Sequence, residues 1–182
     1  MSFIDLARNR ESVRSYSDKP VEKEKIDRCL EAARLAPSAC NSQPWRFIVI
    51  DEPELREKIA LSTFSELVSF NKFALKAPVL VVVTATKGNL KTKVGQMITS
   101  LPYYLIDIGI AAEHFCLQAA EEGLGTCMIG WFKEKEIKKY LTISREERVS
   151  LVLAVGYPNT QAIREKKRKS LNEISSFNDA RD

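Results

Sequence analysis

Ala36-Pro37-Ser38-Ala39-Cys40-Asn41-Ser42-Gln43-Pro44-Trp45 stops one helix and opens one strand. Upstream, Ile26, Cys29, Leu30 and Ala33 recur at helical spacing. Downstream, Phe47-Ile48-Val49-Ile50 is an apolar run of strand length. Pro37 cannot continue the helix, because it lacks the N–H and its ring clashes with the preceding turn. Ser38 and Asn41 can bond backbone or ligand, and Gln43 offers both donor and acceptor. Pro44 biases Gln43 towards an extended conformation, which predicts an amide held in a fixed direction. This mixture suits a ligand surface better than a plain connection.

On the N-terminal side, Ser2 with Asp5 three residues on reads as a helix cap. Arg10-Glu11-Ser12-Val13-Arg14 follows. If this segment is extended, Arg10, Ser12 and Arg14 share one side, since strand side chains have period two. A hydroxyl between two guanidinium groups suits a phosphate, and a salt-bridged surface strand fits the same pattern. On the C-terminal side, Asp51-Glu52-Pro53 reads as a cap with proline in the first turn. Phe64, Leu67, Val68 and Asn71 have helical spacing, so Asn71 is either aimed at a pocket or an ordinary helix-end residue. Ala77 to Thr84 is a continuous β-branched run that predicts a central strand, with Pro78 at its start. Lys87 to Ser100 is a polar loop that either covers a site or is a surface excursion.

The longest helix starts near Pro102, with Tyr104, Ile108, Ala111, Phe115 and Ala119 in one apolar line. Asp107, His114 and Gln118 form a sparser polar line, and His114 reads as a hydrogen-bonded interface residue. Gly123 ends that helix. Thr126 to Ile129 is a short strand, and Gly130 lets a flat ligand approach the backbone. A charged helix over Glu134–Leu141 and a strand over Val149–Gly156 come next. The tail carries Arg164, Lys166, Lys167, Arg168 and Lys169, then Leu171, Ile174 and Phe177. The basic run is either solvated or an anion site. The three apolar residues are expected to pack on something, such as a second subunit.

The 182 residues suffice for one sizeable core, and no repeat or boundary divides residues 1–182 into two domains. A net charge of +4 is far from a nucleic-acid footprint. The N-terminus has no secretory h-region, and no apolar run approaches the roughly 20 residues of a membrane span. A cytoplasmic protein without membrane or nucleic-acid partners is expected. The four cysteines contain no Cys-x-x-Cys pair, and one histidine completes no common zinc set, so no metal is expected. Cys29 and Cys116 read as core residues.

Taken together, these stretches resemble the FMN-dependent nitroreductase family. The matching pieces are Arg10–Arg14, the Ala36–Trp45 stretch, Ala77-Pro78, Gly123-Leu124-Gly125-Thr126-Cys127-Met128-Ile129-Gly130, and Gly156-Tyr157-Pro158 followed by Lys166 and Arg168. The likeness runs in order through nearly the whole chain, and its Pro-Ser-x-x-Asn-x-Gln-Pro-Trp element is specific.

The resemblance implies an α+β fold with a largely antiparallel central sheet wrapped by helices. It also implies a homodimer with FMN at the subunit interface and a C-terminal tail crossing to the partner. By the same likeness Arg10, Ser12 and Arg14 contact the FMN phosphate or the flavin's polar edge, joined by Lys166 or Arg168. Pro37, Ser38 and Ala39 lie against the flavin of the other subunit, with Asn41 and Gln43 nearby. Asn71 meets the pyrimidine edge, and Ile129, Gly130 and Trp131 fall where a backbone N–H meets flavin N5. No side chain is expected to be catalytic in its own right.

Two positions depart from the family pattern. Glu11 stands where a basic residue is common, so its carboxylate must point away from the phosphate or be paired. Glu113-His114 stands where Gln-Asn is common. The implied reaction is ping-pong: NADH or NADPH delivers a hydride to flavin N5, and a small oxidised acceptor such as a nitroaromatic or quinone then takes the electrons. Flavin destruction, reductive dehalogenation and non-catalytic flavin binding are the alternatives.

Overall fold

The computed structural model describes residues 2–86, 100–160 and 162–178. The expected loop over Lys87 to Ser100 lies, apart from Ser100, outside the described residues. Among those described, four strands form one sheet: β1 (Trp45–Ile50), β2 (Val79–Ala85), β3 (Gly125–Ile129) and β4 (Arg148–Gly156). Their order is β1-β2-β4-β3, and every neighbouring pair is antiparallel. The helices are α1 (Phe3–Asn9), α2 (Lys23–Arg34), α3 (Pro53–Leu61), α4 (Tyr103–Glu121), α5 (Glu134–Tyr140) and α6 (Leu171–Ile174). This is the expected α+β architecture with an antiparallel sheet.

Every residue of β2 is buried, as a β-branched run covered on both faces must be. Leu80 and Val82 point into a core shared with Ile59, Ala74 and Ile137, on the side of α3 and α5. Val79, Val81 and Val83 point into the opposite core, with Ile26 and Cys29 of α2 and Phe115 and Ala119 of α4. Phe115 is fully buried and stacks on Phe47 of β1 at 5.9 Å. Truncating such a side chain costs about 3–5 kcal/mol. The register shifts between Val83 and Thr84, leaving Ser150 of β4 without a partner across the strand. The bulge reverses the alternation, so odd-numbered Val149 joins Val152 and Ala154 on one face.

Helix ends follow their local chemistry. Ser2 and Asp5 form a reciprocal capping box on α1. Pro53 begins α3, and the Glu52 carboxylate accepts the N–H groups of Glu54 and Leu55. α2 stops at Arg34, two residues before the Ala36-Pro37 boundary. The helical spacing of Phe64 to Asn71 does not become a helix. Residues 62–71 form turns and bends, and only Lys72–Lys76 winds into a short 3-10 helix. Leu67 is 98% exposed, so this apolar periodicity has no core to face. Without a buried face, propensity alone does not hold so short a helix.

Candidate functional site

The segment 10–16 is extended along the outer edge of β3. Ser12 pairs with Thr126 in a parallel bridge, and the Val13 N–H donates to the Thr126 carbonyl at 2.9 Å. Buried Tyr16 pins its far end, with its hydroxyl 2.8 Å from the Val13 carbonyl and 3.2 Å from that of Ala154. Desolvation of that phenol pushes its pKa up, so it stays a proton donor. Gly125 makes the close approach possible: a Cβ there would lie 2.5 Å from Val13 Cγ2.

This edge carries the expected arginines. Arg10, Ser12, Arg14, Lys166 and Arg168 line one cavity of about 330 Å³, together with Glu11, Arg164, Glu165 and Lys167. Arg10 Nε is buried, lies 3.1 Å from Glu113 Oε1, and has no partner in hydrogen-bonding geometry. The ion pair therefore positions the guanidinium without satisfying that donor. Arg14 is exposed, and its guanidinium lies 5.8 Å from the Phe73 ring centre. Glu11 is paired as its position required: it accepts the backbone N–H of Arg164 at 3.2 Å and Arg164 Nε at 3.3 Å. Lys166 is oriented differently from an open phosphate ligand. Its ammonium donates to the carbonyls of Ala7, Arg8 and Arg10, at the C-terminal end of α1. Burial and the charges of Arg10 and Arg168 lower its pKa.

At the other end of β3, Ile129 is buried while Gly130 and Trp131 are exposed. A Cβ on Gly130 would meet nothing within 4 Å, so its backbone faces open space. Asn71 is buried, and its amide donates to the Thr63 carbonyl at 3.0 Å and the Trp131 carbonyl at 3.4 Å. It therefore ties the 62–71 turn to the end of β3. From Thr126 to Gly130 the strand spans about 13 Å, which separates the cationic cavity from the open backbone by the length of a mononucleotide.

The Pro37–Gln43 stretch lines none of that cavity. Ala39–Asn41 forms a 3-10 turn. Ser38 Oγ accepts the Gln43 N–H at 2.9 Å, and the Gln43 side-chain amide donates to Asn41 Oδ1 at 2.9 Å. Cys40, Asn41 and Gln43 have φ of 51°, 49° and 41°. Gln43 is thus not extended, and the expectation drawn from Pro44 fails there. The bonds from Ser38 and Asn41 over-determine a left-handed backbone that costs about 1–3 kcal/mol at a non-glycine residue. Asp107 of α4, 3% exposed, anchors the turn through the Ala39 N–H. His114 bonds within the chain, its Nδ1 lying 3.2 Å from the Ala32 carbonyl of α2.

Asp107, Tyr16, Glu113 and Arg164 are positioning residues outside the expected set. Of these, Asp107 carried a signal as part of the sparse polar line of α4, and Glu113 carried one as a departure from the family pattern. Among the described residues there is no cluster able to hold a metal ion. Nor is any helix there long and apolar enough to cross a membrane.

Comparison with known proteins places the fold in one family. The family described as "Nitroreductase family" matches residues 7–71 and 65–157. A relative from Archaeoglobus fulgidus, provisionally named NADH dehydrogenase/NAD(P)H nitroreductase, is 32% identical over 164 residues, covering 87% of this chain and 86% of the relative. An iodotyrosine deiodinase from Thermotoga neapolitana is 28% identical, covering 86% of this chain and 90% of its own length. The solved FMN-dependent nitroreductase from Clostridium difficile R20291 superposes with a TM-score of 0.76 at 30% identity, covering 97% of this chain and 99% of that one. With the family model matched over most of its length, the chain belongs to the nitroreductase family.

Proposed function

We propose that this chain is an FMN-dependent oxidoreductase. On this reading it carries electrons from NADH or NADPH to a small oxidised acceptor, such as a nitroaromatic or a quinone. It works as a cytoplasmic homodimer of single-domain subunits spanning 1–182, with cofactor at the interface. The observation that carries the reading is the cationic cavity along β3, where Arg10, Arg14, Lys166 and Arg168 converge beside Ser12. Guanidinium forks around one cavity match the oxygens of a phosphate. The open backbone at Gly130 suits the ring end of the same molecule. Bound there, FMN supplies the redox chemistry.

The chain's own residues bind and orient. Arg10, Ser12 and Arg14 hold the phosphate end, with Arg168 adding charge. Asn71, Ile129, Gly130 and Trp131 shape the ring end. Pro37, Ser38, Ala39, Asn41 and Gln43 line none of that cavity in their own chain, which supports their serving the site of a second copy. Their hydrogen-bonded left-handed turn presents a rigid face to it.

Titration of the apoprotein with FMN, followed by anaerobic mixing with NADH and with NADPH, tests the reading. Flavin absorbance should appear on the protein and bleach with at least one donor. Absence of FMN binding would overturn it. A second reading, reductive dehalogenation, is supported by the iodotyrosine deiodinase relative. Halide release from a halotyrosine under reducing conditions would favour it over nitroaromatic or quinone reduction.

A further inference from the structure

Glu11 is an acid set in a cationic cavity, and electrostatics alone would make it an opponent of any phosphate there. Its geometry indicates another role. The side chain is only 17% exposed, and its Oε2 accepts from both the backbone N–H and the Nε of Arg164. The same guanidinium donates through Nη2 to the Ser12 carbonyl at 2.7 Å. Two residues further on, Lys166 caps the carbonyls that end α1. The tail is thus fastened at two points, one at the end of α1 and one on the arginine segment itself.

We infer that Glu11 is a positioning residue for anion binding: through Arg164 it latches the cationic tail, residues 164–168, over the cavity. This rests on the FMN reading for the identity of the anion, though the latch itself does not. Ser12 joins the two halves, because its backbone accepts from Arg164 while its neighbours Arg10 and Arg14 carry the charge. Without the latch, the exposed cations of the tail lose their fixed place beside the cavity. The local positive charge is then diluted by chain motion, although a carboxylate has been removed.

The sign of one experiment separates this from simple electrostatics. Glu11→Gln removes a negative charge, so a purely repulsive Glu11 predicts tighter FMN binding. The latch predicts weaker binding, by roughly three- to tenfold. The same apoprotein is digested with trypsin, since Arg164, Lys166, Lys167, Arg168 and Lys169 supply clustered cleavage points. Cleavage in the tail should accelerate in Glu11→Gln and in Arg164→Gln. The swap Glu11→Arg with Arg164→Glu should restore both slow cleavage and FMN affinity towards wild type. Tighter or unchanged FMN binding in Glu11→Gln, or tail cleavage unaltered in both single variants, would overturn the latch. If the wild-type protein binds no FMN, the reading of function fails, while the cleavage rates still decide the latch. If Glu11→Gln does not fold, the tail-cleavage rate of Arg164→Gln decides the latch from the other side of the pair; its FMN affinity does not, because that variant also removes a cation from the cavity.

Discussion

The Asp107 carboxylate accepts the backbone N–H of Ala39 at 3.0 Å and lies 3.4 Å, through its other oxygen, from Ser42 Oγ. One buried acid on α4 thereby holds both ends of the 3-10 turn that carries the most specific part of the sequence. Six residues along the same helix, Glu113 holds Arg10. The two acids are about 9 Å apart along the axis and roughly 120° apart around it. α4 therefore positions both the turn and the arginine cavity, on different sides of itself.

Asp107→Ala should leave the Ala39 N–H unpaired in a site with little water. The expected loss is about 1–3 kcal/mol of stability, read by urea denaturation at fixed protein concentration. FMN affinity should fall as well, because the turn is left to relax from its left-handed conformation. Asp107→Asn keeps an acceptor oxygen and should recover part of both losses. An Ala variant with unchanged affinity would separate the turn from the cofactor.

Arg10→Lys should weaken FMN binding by roughly tenfold or more, since an ammonium cannot reproduce the fork of a half-buried guanidinium held in place by Glu113. Arg168→Lys, at an exposed position, should change it much less. Fluorescence titration of both variants with FMN gives the comparison. Equal losses would mean that the cavity acts as diffuse charge and that the guanidinium held by Glu113 has no special part.

The course of the chain was legible where one residue type has one structural meaning. The β-branched run at Val79 can only be a covered strand, Pro53 can only sit at a helix start, and Gly123 at φ 74° ends α4 as a glycine should. The arginine side of the site was legible too, because period two puts Arg10, Ser12 and Arg14 on one face of an extended segment. Illegible were the relations between distant residues. Nothing local says that Asp107 reaches Ala39, that Glu11 takes Arg164, or that the Lys166 ammonium turns to the end of α1. Where local preference misled, tertiary bonding decided: Ser38 Oγ and Asn41 Oδ1 hold Gln43 against the bias of Pro44. Likewise, the apolar spacing of Phe64 to Asn71 found no face to bury.

Gly125→Ala should damage the arginine segment from behind. The new Cβ would sit 2.8 Å from Val13 Cβ, an atom fixed to the backbone, so the segment itself must shift. Overpacking of this kind costs about 1–3 kcal/mol. Stability and FMN affinity should drop together, because Val13 lies between Ser12 and Arg14. Adding Val13→Ala removes the atoms that meet the Cβ at 2.5 and 3.0 Å and should recover part of the affinity. Rescue of stability without affinity would place the fault elsewhere than in the arginines.

Glu22 makes a pH-dependent contribution beside the C-terminal end of β4, which pairs with the Gly125 end of β3. The Tyr157 hydroxyl donates to its carboxylate at 2.6 Å and, with the Glu22 backbone and the Lys19 charge assisting, holds its pKa at about 2, down from 4.5. A depressed carboxyl pKa stabilises the fold above the unfolded value. That contribution is therefore present above pH 4.5 and is lost as pH falls from 4.5 towards 2. Tyr157→Phe should be less stable than wild type near neutral pH, with the difference shrinking through that window. The Glu22 carboxyl resonance should titrate closer to its ordinary value in the variant. A stability difference independent of pH would assign the effect of Tyr157 to packing alone.

Leu171, Ile174 and Phe177 are 75%, 65% and 91% exposed, on and just beyond a helix of four residues. Ser170 and Glu173 give α6 a capping box, yet one turn of helix does not persist on a cap alone. In a homodimer these side chains would gain about 1.5–3 kcal/mol each on full burial against the partner. Replacing all three by serine should then weaken the dimer by at least roughly a hundredfold in Kd, measured by sedimentation across a dilution series. Because residues 37–43 are assigned to the second copy's site, FMN should leave the variant over the same concentration range in which the dimer dissociates. A variant that stays dimeric would remove the tail from the interface, and one that turns monomeric while keeping FMN would show that each chain builds its site alone.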